Sequence, residues 1–336
     1  MSDFASAAMV RVLIHGMRER GLMPPDEAQA AGSRLDAAAR VPLDLKRAVI
    51  ADAVRRGGIG CLALLGCGLS HYRNDPTHRA LASARGVADL LERWQRLERY
   101  VHSRHRCQLL KLDDLGASRR CGGARLRHVA VHGPAPLAAE SLVVLGLLIA
   151  LLEALGLQQV RACAGGVPVY PEPDAAALQR AAAAGGTAAW RLDWVAAPGS
   201  AESSRASTAS TASASTVSTA PPADLLHGPD WPPLLVAAAR LLLNDLTQPL
   251  TLPSLAGALG FAPRTLQRAL SDAGTGYAPL LAELRCRAAA WWLLHSQRPV
   301  AEIGFVCGFA DQAHFTRELR RRVGLPPLRY RQAFTT

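Results

Sequence analysis

Two stretches of the chain, GFAPRTLQRALSD and GFADQAHFTRELRRR, carry the residues whose types and spacing can do chemistry on a polyanion. Each opens on Gly-Phe (Gly260-Phe261 and Gly308-Phe309) and continues with apolar residues four apart: Leu266 and Leu270, then Phe315 and Leu319. With those residues turned inward, the outer face of the first segment presents Arg264, Thr265, Gln267, Arg268 and Ser271. That of the second presents Gln312, His314, Thr316, Arg317, Arg320 and Arg321, with Arg322 alongside. A guanidinium pairs with guanine O6/N7 or with phosphate, a carboxamide with adenine N6/N7, and a hydroxyl with either. The chemistry expected is therefore recognition of double-stranded DNA. Arg268 and Arg317 are the expected base contacts, with Gln267, Gln312 and His314 behind them, whereas Arg264, Arg320 and Arg321 hold phosphates.

The elements that must position these residues form a repeat. LPSLAGALGFAPRTLQRAL aligns with PVAEIGFVCGFADQAHFTREL so that Leu255 falls on Ile303, Leu259 on Cys307 and Leu266 on Phe315, the last with one extra residue in the second copy. Each copy reads as an apolar helix, a tight turn at glycine, an aromatic plug and a second helix, which is a helix-turn-helix. Glycine suits the turn because one residue there takes a positive φ, which costs a Cβ-free residue nothing. Between the copies, YAPLLAELRCRAAAWWLLHS predicts a helix of roughly 30 Å, close to the ~34 Å between successive major-groove faces on one side of B-DNA. Trp291-Trp292 on that helix reads as core, because its surroundings are apolar throughout.

Composition sets the frame around the repeat. The chain has 336 residues, 49% hydrophobic, enough for two folded domains. Its net charge is +11, carried almost wholly by arginine, since Lys46 and Lys111 are its only lysines. A basic balance fits an acidic partner such as nucleic acid, but the region after Leu225 holds 12 Arg against 7 Asp+Glu, net +5, so charge alone does not localise the function. In AESSRASTASTASASTVSTA, Ala201 to Ala220, all but three residues are Ala, Ser or Thr. Such a segment buries too little apolar area to offset its ordering entropy and is expected to be a tether. The expected division is 1–198, a linker 199–224 and 225–336. The first part mixes helical and alternating periods and reads as an α/β domain, while the second reads as all-α.

Other chemistry is weaker. His102-Ser-Arg-His105-Arg-Cys107, or Cys121 with His128 and His132, lacks the four tightly spaced ligands of structural zinc, so no metal is expected. No Gly-rich phosphate loop with its lysine and no Gly-x-Ser-x-Gly is present. Cys67, Ser70 and His71 are adjacent in sequence, which does not make a triad, so no catalytic residue and no cofactor is expected. The seven cysteines form no Cys-x-x-Cys pair and read as reduced, buried thiols of a cytoplasmic protein. No export signal is read at the start, and the longest apolar run, Leu142 to Leu152, is far short of the ~18 to 20 residues of a membrane span. It reads as a buried helix.

On LAGALGFAPRTLQRAL, Gly274 to Tyr277, Arg285, Ala288, Leu294, VAEIGFVCGF, HFTREL, Gly324, Pro327 and Tyr330-Arg331, the C-terminal ~100 residues resemble the DNA-binding domain of the AraC/XylS family of bacterial transcription regulators. Ala262 and Ala310 replace the usual capping residue after Gly-Phe, Gly304 a usual alanine and Leu319 a usual phenylalanine. Asp311 is placed to cap the second helix one position late, and Pro263 suits a first helical position. On DPTHRALASARGVADLLERWQRLERYV, residues 1–198 more loosely resemble the arabinose-binding-type sensor domain of the family's ornithine-utilisation-regulator branch. The resemblance implies an α/β sensor domain plus an all-α domain with two helix-turn-helix units joined by a linker helix. It also implies a small-molecule effector, homodimer formation, contact with RNA polymerase and a place at the nucleoid. Two other readings stay open at this point: an enzyme that carries the tandem unit for targeting, and an architectural binder with steep salt dependence and no preferred site.

Overall fold

The structure, a computed structural model, describes residues 4–33, 35, 40–72, 76–101, 104–113, 121–196 and 231–334. The chain divides into two units, Met1–Ser213 and Ala214–Thr336. The expected tether, 201–220, and the expected limits at 198 and 225 lie outside the described residues.

In the first unit, alternation of side chains drives a five-stranded antiparallel sheet in the order β3-β4-β7-β5-β6, formed by β3 (His105–Asp113), β4 (Cys121–Ala130), β5 (Gln158–Ala164), β6 (Val167–Tyr170) and β7 (Ala189–Val195). Trp190, Leu192 and Trp194 point to the buried face of β7, between outward Arg191 and Asp193. A separate two-stranded ribbon pairs β1 (Phe4–Ser6) with β2 (Arg40–Pro42). Both short strands, and β6 within the Gly/Pro-rich GGVPVYPEP, carry too few residues for alternation to show.

Helical periodicity at Ala5 to Arg20, Leu43 to Arg56, Val87 to His102, Leu137 to Leu155 and Asp174 to Ala184 predicts five helices, found as α1 (Ala7–Glu19), α3 (Leu43–Gly57), α5 (Val87–Val101), α6 (Ala138–Ala154) and α7 (Ala175–Ala183). Helices α2 (Pro25–Ser33) and α4 (Pro76–Ala82) and a 3-10 helix, Ile59–Tyr72, were not read from that period. The last, IGCLALLGCGLSHY, is apolar on every side and shows no stripe. It packs backbone against backbone: a Cβ on Gly66 would lie 2.0 Å from the Gly146 carbonyl oxygen of α6, and one on Gly146 2.5 Å from that of Ala63. Helix α6 buries 12 of its 17 residues, including Leu142 to Ile149. Among the described residues no helix is long and apolar enough to cross a membrane.

The second unit is all helical: α8 (Pro233–Leu243), α9 (Leu252–Ala258), α10 (Pro263–Asp272), α11 (Tyr277–His295), α12 (Val300–Val306), α13 (Gln312–Val323) and α14 (Pro327–Phe334). Helix breaks are expected from the sequence at Pro249, Pro253, Gly260, Gly274, Pro299, Gly308, Gly324 and Pro326; Pro253 instead sits in the first turn of α9, where a missing N–H is harmless. The core gathers Leu242, Leu255, Leu266, Leu270, Leu284, Ile303, Phe309, Phe315 and Leu319 around α11, with Trp292 buried and Trp291 packed on its edge. Both inward faces read from the sequence are thus the faces that pack.

Candidate nucleic-acid interface

Helices α9-α10 and α12-α13 form the two helix-turn-helix units. Gly260 and Gly308 both take φ +77°, the left-handed region that the turn requires. Helix α13 starts at Asp311, whose carboxylate accepts the His314 N–H at 2.7 Å. Helix α10 starts at Ala262 with no side-chain cap and has Pro263 at its first position.

The two copies differ around the turn. Phe309 is buried as expected, 4.7 Å from the Phe315 ring, while Phe261 stays 40% exposed. The cause lies in distant chain. The Gly308 turn is pressed against the Leu246 carbonyl, where a Cβ would come within 1.8 Å, and against Arg285, which donates to that same carbonyl at 3.1 Å. No atom lies within 4 Å of a Cβ built on Gly260. The first turn is open on the side where the second is backed.

The reading faces differ too. Arg264, Thr265, Gln267, Arg268 and Ser271 of α10 are all exposed, flanking the buried Leu266 and Leu270. On α13, Arg317 and Arg320 are exposed, but the other expected readers are bonded within the protein or partly covered. The Thr316 hydroxyl donates to the Gln312 carbonyl at 2.8 Å. The half-buried His314 accepts the Ala310 N–H on Nδ1 at 3.3 Å and meets the Phe309 ring edge-on. Gln312 is half-buried, with its Oε1 shielded from solvent. Arg321 donates to Glu318 at 2.8 Å, which holds that carboxyl below its ordinary range, helped by Arg322. The expectation that all six residues form a free outer face is therefore corrected. A hydroxyl or imidazole one turn from the helix start finds a backbone partner before it finds a duplex.

Arg322 does not belong to that face. It pairs with Glu283 of α11, which also holds Arg287 at 2.7 Å, so the spacer helix is riveted to the second reading helix. At the start of the same helix, six residues before Glu283, the Tyr277 hydroxyl donates to the Leu250 carbonyl, just ahead of α9. Helix α11, 19 residues long, spans about 28 Å. The signal for these ties was faint in sequence, since an acid forty residues from an arginine has no periodic signature.

Candidates elsewhere do not assemble. Among the described residues no group of three or more His, Cys, Asp or Glu is placed to hold a metal. His102 lies outside the described residues, and His132 lies beyond the end of β4, so it shares no strand face with His128. His128 is buried against Ser141 Oγ at 3.1 Å, and burial drives its pKa down to about 3. His71 pairs with Glu19 at 2.9 Å. Burial raises the Cys67 thiol above its ordinary value. The cysteines are all free, but Cys121 is exposed and Cys67 and Cys163 are half-buried, contrary to the expectation of seven buried thiols.

This geometry defines a double helix-turn-helix module on a stiff spacer. A family profile described as a helix-turn-helix domain matches residues 255–333. The Ornithine utilization regulator of Pseudomonas aeruginosa is 38% identical over 103 residues, 30% of this chain and 30% of that protein. The HTH-type transcriptional regulator GlxA of Rhizobium meliloti is 30% identical over 96 residues, 28% of this chain and 30% of that one. A crystal structure of a transcriptional regulator of the AraC-type DNA-binding-domain class, from Chromobacterium violaceum, is 28% identical and covers 30% of this chain and 90% of its own, at a TM-score of 0.29. The chain spans about a third of the length of the curated relatives it matches. Residues 255–333 thus carry a helix-turn-helix domain similar to those of these transcription regulators.

Proposed function

We propose that this protein binds double-stranded DNA in a sequence-dependent way through α10 and α13 and regulates transcription from the sites it selects. One observation carries the reading: each reading helix keeps two exposed arginines, Arg264 and Arg268 or Arg317 and Arg320, out of every ion pair found among the described residues. Elsewhere in the same unit Arg287 and Arg322 pair with Glu283, Arg285 and Arg331 donate to backbone carbonyls, and exposed Arg240 and Arg329 are likewise in no ion pair found among the described residues, so it is the repetition on two matched helices that singles these four out. Arginines left free on two repeated helices are matched to a ligand that brings the negative charge itself.

In this reading Arg268 and Arg317 contact bases, Gln267, Thr265 and Ser271 add to the first site, and Arg264 and Arg320 hold phosphates. Arg321 and His314 contribute to the second site after giving up the bonds they make in the free protein, Gln312 after its shielded carboxamide turns outward, and Thr316 least of the set, its hydroxyl staying on the Gln312 carbonyl. Binding titrations on a selected duplex and a scrambled one test it. Arg317→Ala is expected to cost ~1 to 3 kcal/mol on the selected duplex and to relax base preference, whereas Arg320→Ala weakens both duplexes alike. Equal losses for the two variants overturn the division of roles. Steep salt dependence with no preferred site would turn the protein into an architectural binder.

The first unit supplies the control in this proposal, as a sensor of a small molecule and as the homodimer contact. A cleft of about 770 Å³, lined by Cys67, Ser70, His78, Ser83, Ala150 and Glu153, is the candidate effector site. Its mixed lining suits a polar metabolite, and one relative is named for ornithine utilisation. Thermal-shift screening against amino acids, sugars and fatty acids tests it. The working compartment in this reading is the cytoplasm, at the nucleoid, with RNA polymerase as the partner at the promoter.

A further inference from the structure

We infer that Phe261 is a base-reading residue of the first helix-turn-helix, making apolar contact with the 5-methyl group of thymine in the major groove. The inference rests on the DNA-binding reading above and adds to it a residue and a chemical group.

Four observations lead there. Phe261 is 40% exposed, although its repeat counterpart, Phe309, is 1% exposed. The backbone is nonetheless held the same way in both copies: the Phe261 N–H donates to the Ala256 carbonyl at 2.9 Å, as the Phe309 N–H does to that of Gly304 at 3.1 Å. The ring is thus carried on a fixed mount rather than on a loose loop. It directly precedes Ala262, Pro263 and Arg264, all exposed, at the start of α10. The N-terminal residues of a recognition helix are the ones that meet base edges. Finally, the turn itself is open on that side, with nothing within 4 Å of a Cβ on Gly260.

An aromatic ring held in water at a fixed position loses hydration free energy that a partner restores. What the major groove offers an apolar side chain is the thymine methyl, the one apolar feature of its code. The other large apolar side chains exposed in this unit, Val323, Leu328 and Phe334, all follow the second reading helix or sit at its end. Phe261 is the one at the start of a reading helix among the described residues.

The test uses the full chain. Duplexes enriched from a randomised pool give the preferred site, and each thymine in it is then replaced by deoxyuridine, which removes only the methyl group. At one or two thymines the replacement is expected to weaken binding about fourfold, the worth of one methyl taken out of water. Phe261→Ala is expected to bind the thymine and deoxyuridine duplexes equally, and Phe261→Leu to keep part of the difference. Phe261 is only 40% exposed, so thermal midpoints are read for both variants, and Phe261→Leu, which keeps most of the packed area, separates lost reading from lost folding. Deoxyuridine that is silent at every thymine, or a penalty that persists in Phe261→Ala, overturns the assignment while leaving sequence-dependent binding intact. A parent protein that enriches no sequence overturns both.

Discussion

At the scale of single residues, what matters is whether a polar group is already spent. Thr265 directly precedes the first buried residue of its reading helix and Thr316 directly follows that of the other, and only the Thr316 hydroxyl is bonded within its own helix, to the Gln312 carbonyl. Thr316→Val is therefore expected to change affinity for the selected duplex less than threefold, and Thr265→Val to cost about 1 kcal/mol; fluorescence anisotropy titrations decide, and the reverse order would show that α13 reads with its hydroxyl. The same reasoning gives a pH dependence in the first unit. His128 is buried and its folded pKa lies at about 3, driven down first by burial and then by the charges of His105 and Lys46. The unfolded imidazole takes its proton near the ordinary ~6.5, so the unfolded chain gains a proton that the folded one refuses. Stability is thus full above about pH 6.5 and falls by about 1.4 kcal/mol per pH unit as the pH drops from there toward 3. His105 is also lowered by burial and adds in the same direction. Lowered carboxyls such as Asp52, held by Arg55 and Arg56, lose their contribution only nearer their own ordinary values. Denaturant midpoints at pH 7.5 and 5.5 are expected to differ, and His128→Gln to narrow the gap; an unchanged gap would put the proton elsewhere.

At the scale of elements, the two turns share a backbone and differ in what surrounds them. Gly260→Ala places a Cβ at φ +77° in open space, a cost of about 1 to 2 kcal/mol. Gly308→Ala adds a Cβ 1.8 Å from the Leu246 carbonyl oxygen, next to backbone that cannot swing aside. Its thermal midpoint is expected to fall well below that of Gly260→Ala, for which about 5 to 10 °C is expected; equal falls would mean that the Leu246 segment yields freely. The contrast also marks how far the sequence reaches. Gly-Phe followed by residues four apart announced both units, and Asp311 announced its cap, because turn, cap and buried face are all local. The exposure of Phe261 was not announced, since it depends on which turn Leu246 and Arg285 happen to back. The 3-10 helix Ile59–Tyr72 escaped for a different reason: glycine-mediated backbone packing erases the polar stripe that periodicity needs. Glu283 and Arg322, 39 residues apart, pair through tertiary geometry alone.

At the scale of the whole molecule, net charge overstates what a duplex can use. Of the surplus behind the +11, arginines such as Arg93, Arg56 and Arg191 are held by Asp89, Glu27 and Asp193 in the first unit, as Arg322 is by Glu283 in the second. A protein that bound through diffuse charge would respond alike to loss of any of them. One that binds through α10 and α13 responds only where a guanidinium is free to displace counterions from phosphate. The slope of log K against log salt, about −0.9 for each phosphate neutralised, is therefore expected to become shallower by about 1 in Arg264→Ala and in Arg320→Ala. Arg191→Ala, which removes the same formal charge from a sheet surface of the first unit, is expected to leave the slope as it was. Arg322→Ala is expected to lower the thermal midpoint, by releasing α13 from α11, before it changes the slope. Full-length protein titrated at four or more salt concentrations gives all four numbers, and a slope that tracks formal charge across the set would return the protein to the class of unselective polyanion binders.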